Sequence, residues 1–323
     1  MGNYLITGGA GFIGSHLAHV LAARGDYVRV LDNLSTGHVA NLAGATGRIE
    51  FVEGDLVNKR DVERATQDIE VVFHEAALAS VPRSVQAPLE THAACVTGTV
   101  MLLDVARRSG VRRLIYGGSS SAYGDQPLPT KHEAVLPAPL SPYAAAKLAG
   151  EYYCRAFTTT YGIETVTIRY FNVFGPRQDP NSQYSAVIPK FITEMLAGRR
   201  PIIYGDGTQS RDFTFIDNVV HGNLLAAETA DANGLTMNVA CGASFGLIEL
   251  VNEINQVLGT DLEPVFEPAR KGDVRESLAD ISLARKVLGY KPLVGFKEGL
   301  RRTIEYYQSL QLTGPSRVME SPG

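Results

Sequence analysis

Long apolar runs are missing from this chain: nowhere do hydrophobic residues continue toward the ~20 needed to cross a bilayer, so no membrane span is expected. Dense basic runs are missing too. With 30 Lys and Arg against 34 Asp and Glu, the formal charge is −4, which argues against nucleic acid as the main partner. Cysteine is scarce. Cys95, Cys154 and Cys241 have neither metal-ligand spacing nor a paired framework, so they read as reduced, packed thiols with no metal site. No internal repeat or low-complexity tract occurs, and no export signal precedes the first strand pattern, which makes the cytoplasm the expected location. What remains, 323 residues at 45% hydrophobic and 20% charged, suits a soluble globular protein with enough chain for two domains.

Against that background the first 21 residues, MGNYLITGGAGFIGSHLAHVL, stand out. A short apolar run, Tyr4 to Ile6, reads as a buried strand and meets glycines at Gly8, Gly11 and Gly14. Ile13, Leu17, Val20 and Leu21 then recur at helical spacing. Gly8 permits a tight turn, Gly11 lets the backbone approach a phosphate, and Gly14 lets the helix pack close to the strand. Free N–H groups at the helix start, around Phe12 and Ile13, face the anion. Alone, such glycines are weak evidence. A second strand, Tyr27 to Leu31, ends in Asp32 about twenty residues on, where a carboxylate can accept bonds from both adenosine ribose hydroxyls. The acid also repels a 2′-phosphate, so the pattern predicts NAD rather than NADP. The polar loop Asn33 to Gly37, which includes Ser35 and Thr36, can touch the adenosine side.

Further strands are expected at Ile49 to Val52, ending in Gly54-Asp55, at Val71 to Phe73, at Leu114 to Tyr116 and at Thr165 to Tyr170, with helical patterns between them. Strands alternating with helices predict an α/β fold with a doubly wound parallel sheet. His74 to Ala77 falls at the carboxyl end of the fourth strand, on the edge where such sheets bind ligands, and His74 and Glu75 read as lining residues rather than catalysts. Long helices are expected over 88–109 and from Pro142 to about Tyr161, with Pro142 in the first turn. Beyond Gly175-Pro176 the alternation breaks down. A helix is expected at Val187 to Leu196, short strands near Ile202 and Phe213, and helices near 217–229, 246–258 and 295–311. The expected division is a nucleotide-binding domain of residues 1–177 and roughly 209–242, and a smaller α/β domain of roughly 178–208 and 243–312. Residues 313–323 form a polar tail.

The chemistry concentrates in GGSSSAYG, residues 117–124, and SPYAAAK, residues 141–147. Tyr143 and Lys147 are four apart and share a helix face, so the ammonium can stabilise a phenolate. An unperturbed tyrosine ionises near pH ~10 and is a poor base at neutrality. Lys147 and a positive nicotinamide ring would bring it into range, and a serine at the strand end can bond the substrate oxygen that Tyr143 deprotonates. Neither motif is specific alone. Behind a dinucleotide turn, in this order, they point to oxidation of an alcohol.

GGAGFIG, LDN, SSSAYG, YAAAK and RYFNVFGPRQDP together resemble the extended short-chain dehydrogenase/reductases, specifically the nucleotide-sugar 4-epimerases, over residues 3 to about 310. The resemblance implies Ser119, with Ser120 a close second, as the catalytic hydroxyl, Tyr143 as base, and Lys147 as activator that also grips the nicotinamide ribose. It implies Asp55, Leu56, Ala76, Ala77 and Tyr170 as further cofactor neighbours. On the substrate side it implies Asn172, Arg211 and Arg270 as diphosphate ligands, with Ala186, Val187 and Tyr204 around the uridine and sugar. Arginine suits that task through its planar fork. Cys95 stands where relatives usually carry asparagine, which puts one polar contact near the cofactor in doubt.

The implied reaction is inversion of C4 of a UDP-hexose through a 4-keto sugar on bound NAD. Ser277, where glucose-restricted relatives carry tyrosine, and Ala79, where they often carry lysine, point to UDP-N-acetylglucosamine and UDP-N-acetylgalactosamine, with UDP-glucose and UDP-galactose slower. A 4,6-dehydratase needs an Asp-Glu pair where this chain has Ser120 and Ser121 and is disfavoured. A UDP-uronic acid 4-epimerase is the main alternative, and a non-enzymatic NAD-binding regulator would be expected to lack the Tyr/Lys pair. A homodimer through the two long helices is expected, without nucleic-acid or membrane partners.

Overall fold

The computed structural model describes residues 2–126, 128, 130–180, 186–268 and 276–313. Seven parallel strands form its central sheet: β1 (Asn3–Thr7), β2 (Tyr27–Asp32), β3 (Ile49–Glu53), β4 (Val71–His74), β5 (Arg113–Ser119), β6 (Glu164–Tyr170) and β7 (Thr236–Val239), in spatial order β7-β6-β5-β4-β1-β2-β3. The order reverses direction beside β1, and the crevice at that switch point is where open α/β sheets bind ligands. β4, β5 and β6 are almost wholly buried, as strands covered by helices on both faces must be. The doubly wound parallel sheet is therefore as the pattern predicts.

Two differences have physical causes. A seventh strand that no pattern marked, β7, lies outside β6, with Thr236 opposite Thr167, reached by helix α4 (Ile216–Glu228). Residues 88–109 are not one α-helix. A short helix, Pro88–His92, runs into a π-helical turn at Ala93–Thr97 and then into α2 (Gly98–Arg108), so the apolar spacing survives while the hydrogen-bond ladder changes register. The second long helix, α3 (Pro142–Tyr161), is continuous. Ser141 Oγ caps it by accepting from Ala144 N at 3.1 Å, Pro142 opens its first turn, and Gly162 closes it at φ 78°.

Buried charges tie α3 and α4 to the sheet. Arg169 on β6 forms a fork with Glu151 of α3, Nη2 to Oε2 at 2.7 Å, both side chains almost fully buried. Arg113 on β5 donates to the carbonyls of Ala226, Ala227 and Thr229, filling acceptors that the carboxyl end of α4 leaves open. Removing one partner of such a pair strands a buried charge, which costs about 3–5 kcal/mol.

After Tyr170 the strands shorten to two to four residues. Ser210–Arg211 pairs with Phe245–Gly246 and Glu276–Ala279, and Ile202–Tyr204 pairs with Val265–Glu267. The strand expected near Phe213 is two, Ser210–Arg211 and Thr214–Phe215, with Phe213 buried between them in an aromatic cluster with Phe174, Phe245 and Phe296. Helices Val187–Leu196, Leu247–Leu258 and Phe296–Thr313 enclose that cluster. Among the described residues no helix is long and apolar enough to cross a membrane.

Candidate active site

The glycine turn lies between β1 and helix α1 (Phe12–Ala23). Gly8 adopts φ 68°, and a Cβ there would stand 2.6 Å from Ala76 N at the end of β4. A Cβ at Gly14 would stand 2.4 Å from Gly8 O. Both positions thus require glycine for close approach of backbone to backbone. Gly11 is the N-cap of α1 and supplies no side-chain cap, so the N–H groups of the first turn stay free for an anion.

Asp32, at the end of β2, is 8% exposed, and its carboxylate is oriented by Ala10 N at 3.0 Å and Leu34 N at 2.8 Å. Asn33 Nδ2 donates to Asp55 Oδ2 at 2.8 Å, which joins the ends of β2 and β3. A cleft of about 1140 Å³ runs along this edge. It is lined by Gly8, Gly11, Phe12, Ile13, Gly14, Asp32, Asn33, Ser35, Thr36, Asp55, Leu56, Ala76, Ala77, Ala79 and Ala186. Gly37 packs just behind, where a Cβ would meet Asp32 Oδ2 at 3.0 Å. The free amides, the Cβ-free turn and the fixed carboxylate fit the pyrophosphate and ribose of a dinucleotide.

The second cluster sits where β5 and β6 end. Ser119 is the last residue of β5 and pairs with Tyr170 of β6. Its Oγ caps the following turn, Ser120–Tyr123, through Ser121 N at 3.2 Å, and lies 2.8 Å from Ser121 Oγ. Of the two candidate serines, Ser119 is the one that bears on the Tyr143 phenol of α3. Lys147, one turn along α3, is 4% exposed, with Nζ 4.6 Å over the Tyr116 ring. Burial pushes the Tyr143 phenol well up from its ordinary value and Cys95 adds to the rise; Ser119 opposes it, and Glu75 again raises it. The Lys147 ammonium also bears on Glu75, Glu151 and Cys154, favouring their charged forms, and on His74, where it opposes protonation.

His74 and Glu75 part company. His74 is buried in β4, where its Nδ1 meets Thr7 Oγ1 at 2.7 Å and its Nε2 meets Thr99 Oγ1 at 2.8 Å. Thr99 donates its own proton to Cys95 O at 2.7 Å, so it accepts from Nε2–H, and in the neutral ring Nδ1 accepts from the Thr7 hydroxyl. Burial accordingly pulls the His74 pKa down to about 3. Glu75 opens on the cleft, and burial pushes its carboxyl up to about 7.

The remaining candidates lie past β6. Asn172 takes φ 35° and donates through Nδ2 to Asp212 O at 3.1 Å. Arg211 pairs with Ser277 across parallel strands, which makes these two expected substrate residues immediate neighbours. Ser277 is therefore a half-buried strand residue rather than a surface loop residue. Tyr204 ends its strand opposite Glu267, and Val187 opens the helix that follows Ala186. Arg270 lies outside the described residues.

Sequence reasoning missed two elements of this site. Arg177, at φ 65°, with Gln178 and Asp179 lines the cleft from the 175–180 connection; the Gly-Pro-Arg run marked a turn, but not which way it faces. Asp212 is the hub of the later strands, its carboxylate accepting from the amides of Cys241 at 3.0 Å, Gly242 at 2.9 Å and Ala279 at 3.3 Å. Its partners are more than 25 residues distant, and no local pattern announces them.

Fold, glycine cradle and Ser/Tyr/Lys cluster define a nucleotide-dependent enzyme of sugar or alcohol oxidation level, and comparison with known proteins gives the class: the chain belongs to the NAD dependent epimerase/dehydratase family, whose family model matches residues 4–240. It is 40% identical over 310 residues to a UDP-glucose 4-epimerase of Mycolicibacterium smegmatis, covering 94% of this chain and 98% of that protein. Among solved structures it is similar to a UDP-N-acetylglucosamine 4-epimerase from Methanobrevibacter ruminantium in complex with UDP-N-acetylmuramic acid, at TM-score 0.91 and 40% identity, over 95% of this chain and 98% of that one. It is also similar to a UDP-glucuronic acid 4-epimerase from Bacillus cereus in complex with UDP-glucuronic acid and NAD, at TM-score 0.87 and 32% identity, over 95% of this chain and 99% of that one.

Proposed function

We propose that the protein is a UDP-sugar 4-epimerase that inverts C4 of UDP-N-acetylglucosamine and UDP-N-acetylgalactosamine, with the plain hexoses as slower substrates. The observation that carries this reading is the placement of Ser119 at the carboxyl end of β5, with Tyr143 and Lys147 one turn apart on α3 and the dinucleotide cleft alongside. NAD, held by the Gly8 to Gly14 turn and Asp32, supplies a reversible acceptor for the C4 hydrogen.

Tyr143 takes the proton of the C4 hydroxyl and returns it after the ring has turned over. Ser119 holds the same oxygen in place, and Lys147 supports the negative charge that passes to the phenol. Arg211 and Asn172, with Arg270, hold the diphosphate, so that the 4-keto sugar rotates about its linkage without leaving. Ser277, beside Arg211, leaves room for an acetamido group to turn with the ring. The division into a nucleotide domain of residues 1–177 and roughly 209–242 and a sugar domain made of the rest accompanies this reading, as do Ala186, Val187 and Tyr204 as pocket walls.

The protein is further proposed to act as a cytoplasmic homodimer. Leu89 is 83% and Tyr152 56% exposed on the two helical segments expected to pair, and a symmetric contact would cover both. Purified protein incubated with a panel of UDP-hexoses, UDP-N-acetylhexosamines and UDP-uronic acids, without added NAD, tests the whole proposal. Interconversion of 4-epimers, fastest for the acetamido pair, is expected. No product from any sugar overturns the reading, and preference for a uronic acid overturns the substrate assignment.

A further inference from the structure

The connection that follows β6 is fastened to helix α1 and brings an arginine to the cofactor cleft. His16 of α1 donates through Nε2 to Pro176 O at 2.9 Å, and the Tyr307 hydroxyl donates to Gln178 O, so the residue between them is held from both sides. That residue, Arg177, takes φ 65° and lines the cleft. Its Nη1 reaches Asn41 O at 3.4 Å, and Asn41 donates through Nδ2 to Ala10 O at 2.9 Å, inside the turn between Gly8 and Gly14. Two contacts therefore link the guanidinium to the glycine turn, whose amides at the start of α1 have no side-chain cap. Arg83, the other arginine on the cleft, is engaged by Glu90, Nη2 to Oε2 at 3.3 Å. Arg177 forms no ion pair among the described residues, and its hydrogen bond to Asn41 O is long and shared, since that carbonyl already accepts from His19 Nε2 at 3.0 Å. Burial pulls the pKa of neighbouring His16 down to about 4, so the imidazole is neutral near pH 7.

We propose that Arg177 is a further ligand of the cofactor's diphosphate, a cation brought to the glycine turn by the 175–180 connection. A guanidinium keeps its proton and carries five N–H donors, so a half-buried one with a single long hydrogen bond calls for an anion. The start of a helix offsets only about half a charge, whereas a diphosphate carries more, and the planar fork can bond two phosphate oxygens at once. The proposal rests on NAD at the glycine turn and not on which sugar is turned over.

Calorimetry on the full-length protein freed of cofactor tests it, with ADP-ribose, which carries the diphosphate, and adenosine, which does not. In Arg177→Gln the affinity for ADP-ribose and for NAD is expected to fall about tenfold while that for adenosine stays within about twofold. The fall of ADP-ribose affinity with added salt should also become shallower, because a charge has left the site. Arg177→Asn suits the left-handed backbone at this position and carries the same expectation should the glutamine variant not fold. Undiminished affinity for ADP-ribose in a folded variant, or an equal loss on adenosine, overturns the proposal. No sugar enters these titrations, so failure of the wild type to turn over any UDP-sugar counts against the proposed function and leaves the two affinities to judge Arg177.

Discussion

Gly8, Asp32 and Ala76 reach the cleft from the ends of adjacent parallel strands, whereas Arg211 and Ser277 stand on strands of two and four residues joined across 66 positions of sequence. In the first region a continuous ladder of strands fixes the edge from which these residues reach the cleft. In the second, geometry depends on a hub: Asp212 N donates to Ser277 O at 2.6 Å while its carboxylate gathers the amides of Cys241, Gly242 and Ala279. A rigid frame suits a cofactor that stays, and a looser, separately anchored wall suits a sugar that must turn over. The comparison therefore predicts that changes in the first region act on cofactor and chemistry, and changes in the second on the choice of sugar.

The largest effect is expected at the junction of the two regions. Tyr143→Phe removes the proton acceptor and keeps the ring, so turnover should fall by roughly 10²–10⁴ while NAD remains bound, as followed by steady-state rates and by cofactor content after gel filtration. A variant that keeps wild-type turnover would place the base elsewhere. Asp32→Ala comes next. Each charge-assisted hydrogen bond to the ribose is worth about 1.5–3 kcal/mol, so NAD should bind at least tenfold more weakly by calorimetry and selectivity against NADP should relax.

The glycine turn, Asp32 and the Tyr143/Lys147 spacing were legible in the sequence because each is local: strand, turn and helix signals lie within a few residues of one another. The alternation of strands announced the parallel sheet for the same reason. β7 and the π turn at Ala93–Thr97 were not legible. The first joins the sheet only through long-range pairing with β6, and the second keeps the apolar spacing of an ordinary helix. Arg211 was expected at the diphosphate and Ser277 beside the sugar, but not as partners in one sheet, since two-residue strands leave no periodicity. Glu75 was placed on the cleft edge, but the room for it at Gly117 and its hold by Tyr170 come from three different strands.

A smaller and more selective effect is expected in the second region. Ser277→Tyr should lower kcat/KM for the acetamido sugars about tenfold relative to the plain hexoses, because the ring fills the space the acetamido group needs. Equal losses on both classes would show that this position does not gate the pocket. The smallest effect concerns stability rather than catalysis. The folded-state pKa of His74 is lowered to about 3 from 6.5, so its contribution is fully present above pH 6.5 and is lost progressively as pH falls toward 3. The decline should be at most about 1.4 kcal/mol per pH unit, and His74→Asn should flatten it in urea titrations at successive pH values.

The central claim is that hydrogen leaves C4 as hydride, stays in the closed site and returns to the other face of the same sugar. UDP-N-acetylglucosamine labelled with deuterium at C4, incubated with the enzyme in ordinary water and read by NMR, tests it most directly. The account predicts UDP-N-acetylgalactosamine with the deuterium retained at C4; product that has exchanged its label for solvent hydrogen would contradict it.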